Sequence, residues 1–280
     1  MNLDLIRKDF PILETQVNGH QIVYFDNGAT TQRPLPVVNA VVDYVTHQNG
    51  NPHRGAHIFA ISASEAYDTS KEVVRDFIHA RSEKEIIYTR NTTESLNLVS
   101  RSYGETHLKK GDHILITIAE HHSNLVTWQR AAEKTGAVLD YIYIDKETGH
   151  FPEEELKKIN DPRVKILAFA QVSNVLGVEF DPKPLIKRAH AHGAVVVLDG
   201  AQSTPHKQID VQDLDCDFFA FSGHKMCSMG GIGVLYAKEE LLDEMEPFLM
   251  GGDMIETVEE QTTTFAELPA KFEAGTQYVE

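Results

Sequence analysis

Two uninterrupted apolar runs in the middle of the chain constrain its fold more than any other feature. Residues 166–170 read Ile-Leu-Ala-Phe-Ala, and residues 195–198 read Val-Val-Val-Leu. Strands that are apolar on both faces are typical of parallel sheets covered by helices on both sides. The sequence therefore predicts an α/β fold with these two strands at the centre of a mainly parallel sheet.

Short β-rich runs alternate with longer amphipathic runs from about residue 85 onward, the pattern of parallel strands joined by crossover helices. Residues 251–264 are predicted to be an exposed polar connection, and no linker divides the pattern into two domains. Strands are predicted over 85–89, 113–117, 139–144, 164–170, 194–199, 216–221 and 232–237, and helices over 62–80, 93–103, 124–135, 153–159 and 184–192.

The net charge and the cysteine content limit which binding partners and which cellular compartment are expected. The formal net charge of −16 argues against nucleic acid and anionic membranes, because both bind clustered Lys and Arg. No apolar run approaches the roughly 18 residues that span a bilayer, and residues 1–10 lack a signal-peptide pattern. Two cysteines cannot form a disulfide framework, so the chain is predicted to be cytoplasmic.

Two segments place reactive side chains at the ends of predicted strands. Asp199 ends the strand 194–199, where open α/β sheets bind ligands, although a turn or N-cap aspartate is the alternative interpretation. Lys225 lies in a Ser/Gly-rich turn between two apolar strands. A lysine is ordinarily a solvated surface charge, but a partly buried amine can lose its proton and act as a Schiff-base nucleophile.

The order of these segments resembles a known family. Asp199-Gly-Ala-Gln202, followed by Ser222-Gly-His-Lys225, resembles the class V aminotransferases of fold-type I, and within them the group-II cysteine desulfurases of the sulfur-mobilisation type. Further motifs occur in the family order at residues 26–31 (DNGATT), 51–55 (NPHRG), 91–94 (NTTE), 120–124 (EHHSN), 173–177 (SNVLG) and 272–276 (FEAGT). The resemblance implies an N-terminal segment over 1–20 and a pyridoxal-phosphate-binding large domain over 21–280, a mainly parallel sheet with helices on both faces.

The resemblance also implies a role for each matching residue. Lys225 would bind pyridoxal 5'-phosphate covalently, Asp199 would pair with the pyridine nitrogen, and Gln202 would hydrogen-bond the phenolic oxygen. His122, favoured over its neighbour His121, would lie over the ring and carry protons. The phosphate and the remaining cofactor or substrate contacts would come from Thr92, Thr93, Asn174, Ser222, His224 and Thr276.

Simpler interpretations remain open for some of these positions. Residues 92–94 also fit a helix N-cap with an acidic first turn, which is compatible with phosphate binding. Asn174 also fits an ordinary turn asparagine. No metal site is expected, because no cysteine or carboxylate lies at ligand spacing beside His53, Arg54 and His57.

The family implies a reaction and also parts that this chain lacks. Its members are homodimers that convert L-cysteine to L-alanine and pass the sulfur, as a persulfide, to an acceptor protein of iron–sulfur cluster assembly. They continue beyond the 272–276 motif into a small domain with the persulfide cysteine and a carboxylate-binding arginine, so a truncated, less active chain is expected. Cys216 and Cys227 are not expected to replace that cysteine, and the turn 227–231 departs from the family's Gly-Pro-Thr-Gly type. A selenocysteine lyase, an aminotransferase or a non-catalytic cofactor-binding fragment are the alternatives.

Overall fold

The structure, a computed structural model, describes residues 2–280. Its strands are β1 (Gln16–Val17), β2 (His20–Gln21), β3 (Ile86–Thr89), β4 (His113–Thr117), β5 (Val138–Ile142), β6 (Val164–Ala170), β7 (Val195–Asp199), β8 (Phe218–Ser222), β9 (Gly233–Ala237), β10 (Ile255–Val258) and β11 (Thr263–Phe265). Its α-helices are α1 (Leu3–Lys8), α2 (Leu35–Asp43), α3 (Ile58–Ile78), α4 (Thr92–Leu98), α5 (Glu105–His107), α6 (Val126–Thr135), α7 (Glu153–Leu156), α8 (Pro182–Ala191), α9 (Val211–Leu214) and α10 (Glu239–Glu244).

A seven-stranded sheet in the order β3-β9-β8-β7-β6-β4-β5 forms the centre of the molecule. β9 is antiparallel to both of its neighbours, and the other six strands run in one direction. The carboxyl ends of those six strands therefore meet at one edge of the sheet, which is the edge where α/β sheets of this kind bind ligands.

Both faces of the sheet are buried, as the apolar runs predict. On β6, Leu167 and Phe169 pack on one face with α3 and α8, whereas Ile166 and Ala168 pack on the other with α4, α6 and α10. Because successive side chains of a strand point to opposite faces, only a continuously apolar run can serve both layers. This requirement explains why β6 and β7 lie at the centre of the sheet.

The predicted elements agree with the structure in the middle of the chain and differ near its ends. Strands 113–117 and 164–170 have the predicted bounds. The helix predicted over 93–103 continues from α4 into a π-helical turn, Val99–Gly104, and α2 was not predicted. Residues 251–264 are largely exposed, as predicted, but the segment is more than a connection, because β10 and β11 form an antiparallel hairpin there. That hairpin is exposed, so it lacks the apolar alternation that reveals a strand.

Every helix among residues 2–280 is too short or too polar to cross a membrane.

Candidate active site

A cavity of about 560 Å³ opens where the parallel strands end. Eight of the ten predicted site residues line it, and the exceptions are His122 and Thr276. The full lining is Phe25, Asp26, Gly28, Ala29, Asn91, Thr92, Thr93, His121, Ser123, Ala170, Val172, Asn174, Asp199, Ala201, Gln202, Ser222, His224 and Lys225. The structure therefore brings together residues that lie up to 200 positions apart in the sequence, counted from Phe25 to Lys225.

Asp199 is the buried carboxylate of this cavity. It ends β7 and is only 4% exposed, and its Oδ1 accepts a hydrogen bond of 2.9 Å from the backbone N–H of Ala201. Burial raises the pKa of Asp199, while the nearby positive charges of Lys225 and His121 act in the opposite direction. A desolvated carboxylate is stabilised by a cation or a strong N–H donor, so this side chain is suited to hold a protonated ring nitrogen.

Lys225 lies in a single 3₁₀ turn, Gly223–Lys225, that follows β8 directly. The N-terminal part of the chain holds this turn in place. The carbonyl of His224 accepts hydrogen bonds from the backbone N–H and the hydroxyl of Thr31, at 2.9 and 3.1 Å. Burial lowers the pKa of the Lys225 amine, and the carboxylate of Asp199 opposes that shift. A larger share of the amine is therefore neutral, which is the form that attacks a carbonyl.

The start of α4 forms another wall of the cavity. The Asn91 side chain caps the helix, and Ser222 Oγ accepts a 2.8 Å hydrogen bond from the Thr92 N–H and lies 2.6 Å from its hydroxyl. This close approach depends on Gly233 of β9, because a Cβ there would lie 2.5 Å from Asn91 Cα. The N–H groups of Thr92 and Glu94 are bonded to Ser222 and Asn91, which leaves the N–H of Thr93 for an anion at the positive end of the helix dipole.

Gln202 and His224 connect the cavity to the segment 25–31. Gln202 Nε2 donates a 2.8 Å hydrogen bond to the Gly28 carbonyl, and His224 Nδ1 lies 3.2 Å from the Thr30 hydroxyl. Burial, together with Lys225 and Arg33, lowers the pKa of His224. A neutral imidazole is therefore favoured beside the lysine.

The structure places His121 in the cavity lining, whereas His122, the residue predicted to lie over the ring, is outside it. His121 has an extended backbone, φ −64° and ψ 149°, and its Nδ1 accepts a 3.1 Å hydrogen bond from the Ser123 N–H. This cap turns the His121 ring toward the cavity, whereas His122 begins the following 3₁₀ turn. Burial lowers the pKa of His121, and the positive charge of Lys225 acts in the same direction, whereas the carboxylate of Asp199 opposes it. A positive charge on His121 in turn lowers the pKa of Asp199.

Thr276 also differs from the prediction, because it does not line the cavity of its own chain. It is exposed on a separate depression of about 590 Å³ that Arg90 and Glu94 also line. The preceding Glu273 forms a buried ion pair with Lys71 of α3, which holds this segment beside the β3 edge of the sheet. In a single copy of the chain, Thr276 therefore lies outside the cavity lining.

Neither cysteine lines the cavity within residues 2–280. Cys216 is buried, and burial raises its pKa, so its thiol is inert at neutral pH. Cys227 is partly exposed but lies outside the lining. Among the same residues, no cluster of three or more His, Cys, Asp or Glu side chains is arranged to hold a metal ion.

Two features of the cavity escaped sequence reasoning. Phe25 and Ala29 line it, although only the order of the motif at 26–31 pointed to that segment. Glu120 is buried directly before His121 and is bonded to the ends of β4 and β6, but nothing in the sequence separates it from an ordinary surface glutamate.

Known proteins match the chain over nearly its whole length. The sequence profile of the class-V aminotransferase family matches residues 23–280. A probable cysteine desulfurase of Halalkalibacterium halodurans is 48% identical over 279 residues, which cover 100% of this chain and 68% of that protein. A cysteine desulfurase of Synechococcus elongatus is 48% identical over 271 residues, which are 97% of this chain but 43% of that protein.

Solved structures agree with the sequence matches. The apo structure of a cysteine desulfurase from Thermococcus onnurineus superposes with a TM-score of 0.91 at 41% identity, over 99% of this chain and 67% of that one. The resemblance inferred from the ordered motifs is thus confirmed in sequence and in fold. On this evidence the chain belongs to the class-V aminotransferase family and has its fold-type I architecture.

Proposed function

We propose that this chain is a pyridoxal-phosphate-dependent cysteine desulfurase. The observation that carries the proposal is one cavity in which a buried carboxylate, Asp199, and a lysine of lowered pKa, Lys225, lie opposite a helix start. The desulfurases that match the chain at 40–50% identity support the same reading.

The donors of the cavity fit each polar group of pyridoxal phosphate. Asp199 would hold the pyridinium N–H and Gln202 the phenolic oxygen, while Lys225 would bind the aldehyde carbon. The phosphate would lie against the N–H group of Thr93 and the hydroxyls of Thr92 and Thr93. Ser222 and His224 add hydrogen-bond donors beside them, and Asn174, which also lines the cavity, would contact the cofactor oxygen or the substrate carboxylate.

When bound, pyridoxal phosphate supplies an electron sink for the pair left on the substrate α-carbon. The chain's own residues supply the rest. Asp199 keeps a proton on the ring nitrogen, because its charge is desolvated and can be compensated only locally. Lys225, once its amine is free of the cofactor, would carry protons to and from the substrate α-carbon. His121 would be the second proton carrier, because its ring lines the cavity and burial lowers its pKa, which favours the neutral imidazole that can accept a proton.

The proposed substrate is L-cysteine, and the sulfur acceptor is a thiol. In the overall reaction, L-cysteine and R–SH give L-alanine and R–S–SH. The carbon–sulfur bond of cysteine breaks and a sulfur–sulfur bond forms. Of the two thiol protons, one ends on the alanine methyl group and the other on the persulfide. Cys216 and Cys227 lie outside the cavity lining, so the acceptor thiol is supplied from elsewhere. We infer an acceptor protein of iron–sulfur cluster assembly, working in the cytoplasm.

A homodimer is part of the proposal. Thr276 is exposed and lies outside the cavity of its own chain, on a segment that the Glu273–Lys71 ion pair holds beside β3. In a two-fold assembly the same segment of each copy is free to complete the phosphate site of the other.

The test is to locate the bound cofactor and then to follow the products. The chain is loaded with pyridoxal phosphate, reduced with borohydride and mapped by mass spectrometry. We expect the label on Lys225 and none in Lys225→Ala, while the exposed Lys187→Ala behaves as wild type. With cysteine and dithiothreitol, alanine and sulfide should form in equal amounts. Label on another lysine would refute the site, and a keto acid in place of alanine would indicate an aminotransferase.

A further inference from the structure

Glu120 is a buried carboxylate that lies behind the cavity wall rather than in it. It is 9% exposed and accepts hydrogen bonds from three elements: the Thr117 hydroxyl at the end of β4, Asn124 Nδ2 at 2.6 Å, and the Ala170 N–H at 3.1 Å. Burial and the charge of Asp199 raise the pKa of Glu120 to about 8, and its hydrogen bonds offset part of that shift. Such a costly group is retained in a fold only if its bonds fix something.

The hydrogen bond from Ala170 explains why an acceptor oxygen is needed behind the wall. β6 continues to Ala170, whereas its pairing with β4 ends at Ala168. The N–H of the next residue, Gln171, is bonded to the Asp199 carbonyl on the β7 side, so the N–H of Ala170 points to the opposite side, where β4 has ended. Glu120 supplies the missing acceptor and ties its own loop to the strand beside Asp199.

The orientation of the Asn124 side chain requires a hydrogen-bond acceptor at residue 120. Its Oδ1 accepts a 2.9 Å hydrogen bond from Trp128 Nε1, and an indole N–H can only donate. The Asn124 amide must therefore present its NH₂ group to Glu120. Both oxygens of Glu120 thus face N–H donors, and a glutamine at this position would set its own NH₂ against one of them.

His121 is the residue that this arrangement holds in place. Glu120 precedes it and Asn124 follows it by three positions, so the loop that carries the His121 ring is anchored on both sides. The His121 Nδ1 is taken up by the Ser123 N–H and hydroxyl, at 3.1 and 2.8 Å. The Nε2 atom is then the ring nitrogen left for the cavity.

We propose that Glu120 is a positioning residue, which holds His121 against the cofactor ring through its bonds to Asn124 and Ala170. The proposal rests on the proposed function for the identity of the cofactor, but its geometric part concerns this chain alone. Glu120 does not itself line the cavity, so it acts through the residues that it holds, His121 and the cavity-lining Ala170.

A polarity swap tests the proposal. In Glu120→Gln, the new side-chain NH₂ group faces the NH₂ group of Asn124, so two donors meet. In Asn124→Asp alone, the new carboxyl group faces that of Glu120, so two acceptors meet. The double variant Glu120→Gln/Asn124→Asp restores a donor–acceptor pair with the direction reversed, and its new carboxylate still accepts from Trp128. The chain has only one tryptophan, so its fluorescence reports on this network alone. Thr117→Val removes one hydrogen bond to Glu120. It is the milder variant on which the same measurements are made if Glu120→Gln does not fold.

Three quantities are measured on each variant: the free energy of unfolding, the NMR titration midpoint of His121 in the cofactor-free chain, and the dissociation constant of pyridoxal phosphate. Glu120→Gln is expected to move the His121 midpoint by about half a pH unit or more. It should also weaken cofactor binding about 10- to 100-fold, the scale of a misplaced contact group. The double variant should recover both quantities, and Thr117→Val should shift them less, in the same direction.

Two results would overturn the proposal. Loss of stability in Glu120→Gln with an unchanged His121 midpoint would leave Glu120 a purely structural role. Recovery of stability in the double variant without recovery of the His121 midpoint would mean that charge at position 120 matters, not geometry. If the wild-type chain binds no pyridoxal phosphate, the proposed function fails, and the His121 midpoints in the cofactor-free chain still decide the role of Glu120.

Discussion

Breaking the buried ion pair between Lys71 and Glu273 should cost the protein a large part of its stability. Both side chains are more than nine-tenths buried, and the Lys71 ammonium also donates a 3.2 Å hydrogen bond to the Ile86 carbonyl. Its Nζ lies 5.4 Å from the ring centres of both Tyr67 and Tyr88. Burial lowers the pKa of Lys71, and the charge of Glu273 is the largest contribution that counters it.

The expected size of the effect follows from this burial. Removing one partner of a buried pair typically costs about 3–5 kcal/mol, since the other charge is left uncompensated. Glu273→Gln should therefore lower the free energy of unfolding by about 4 kcal/mol, which corresponds to a fall in Tm of roughly 8–16 °C. Replacing both residues with methionine should cost much less, because no buried charge remains.

The pH dependence of the variant gives an independent check. Without Glu273 the pKa of Lys71 falls further, so the folded state binds fewer protons than the unfolded state below the normal lysine pKa. Stability then rises with pH, and Glu273→Gln should regain part of its loss between pH 7 and about 10. Urea unfolding at several pH values measures this, with Glu133→Gln of the exposed Arg130 pair as the control. A loss below about 1 kcal/mol, as expected for that surface pair, would refute the reasoning.

Three further predictions address the site and its support. Asp199→Asn should weaken cofactor binding while leaving the cofactor-free chain at least as stable, because a desolvated charge is removed; a less stable cofactor-free variant would argue against this. Gly233→Ala should destabilise the chain by more than about 2 kcal/mol in urea unfolding, since its Cβ would strike the backbone before α4, whereas Gly230→Ala, with open space around it, should not. Asp217 raises the pKa of His190, so their pair stabilises the fold below the unfolded histidine pKa of about 6.5 and loses that contribution as pH rises through the folded pKa. His190→Gln should flatten the stability profile in this range, and an unchanged profile would exclude the pair as its source.

The amino-acid sequence by itself determined the sheet and the edge at which the cavity opens. β4 and β6 have their predicted bounds because strands buried on both faces must be apolar at every position, and this signal is local. Asp199 and Lys225 were found for a related reason: each follows a strand that could be recognised, and parallel strands end at one edge.

Only the tertiary structure decided which neighbouring side chains face the cavity. His121 and His122 are the same residue type at adjacent positions. They differ in the extended backbone of His121 and in the hydrogen bond that its ring accepts from the Ser123 N–H. Glu120 depends on Ala170, fifty positions away, whose N–H has no partner on β4 because the pairing of β4 with β6 ends at Ala168. A side chain's direction follows from backbone torsions and from partners distant in the chain, and neither leaves a periodic trace in the sequence.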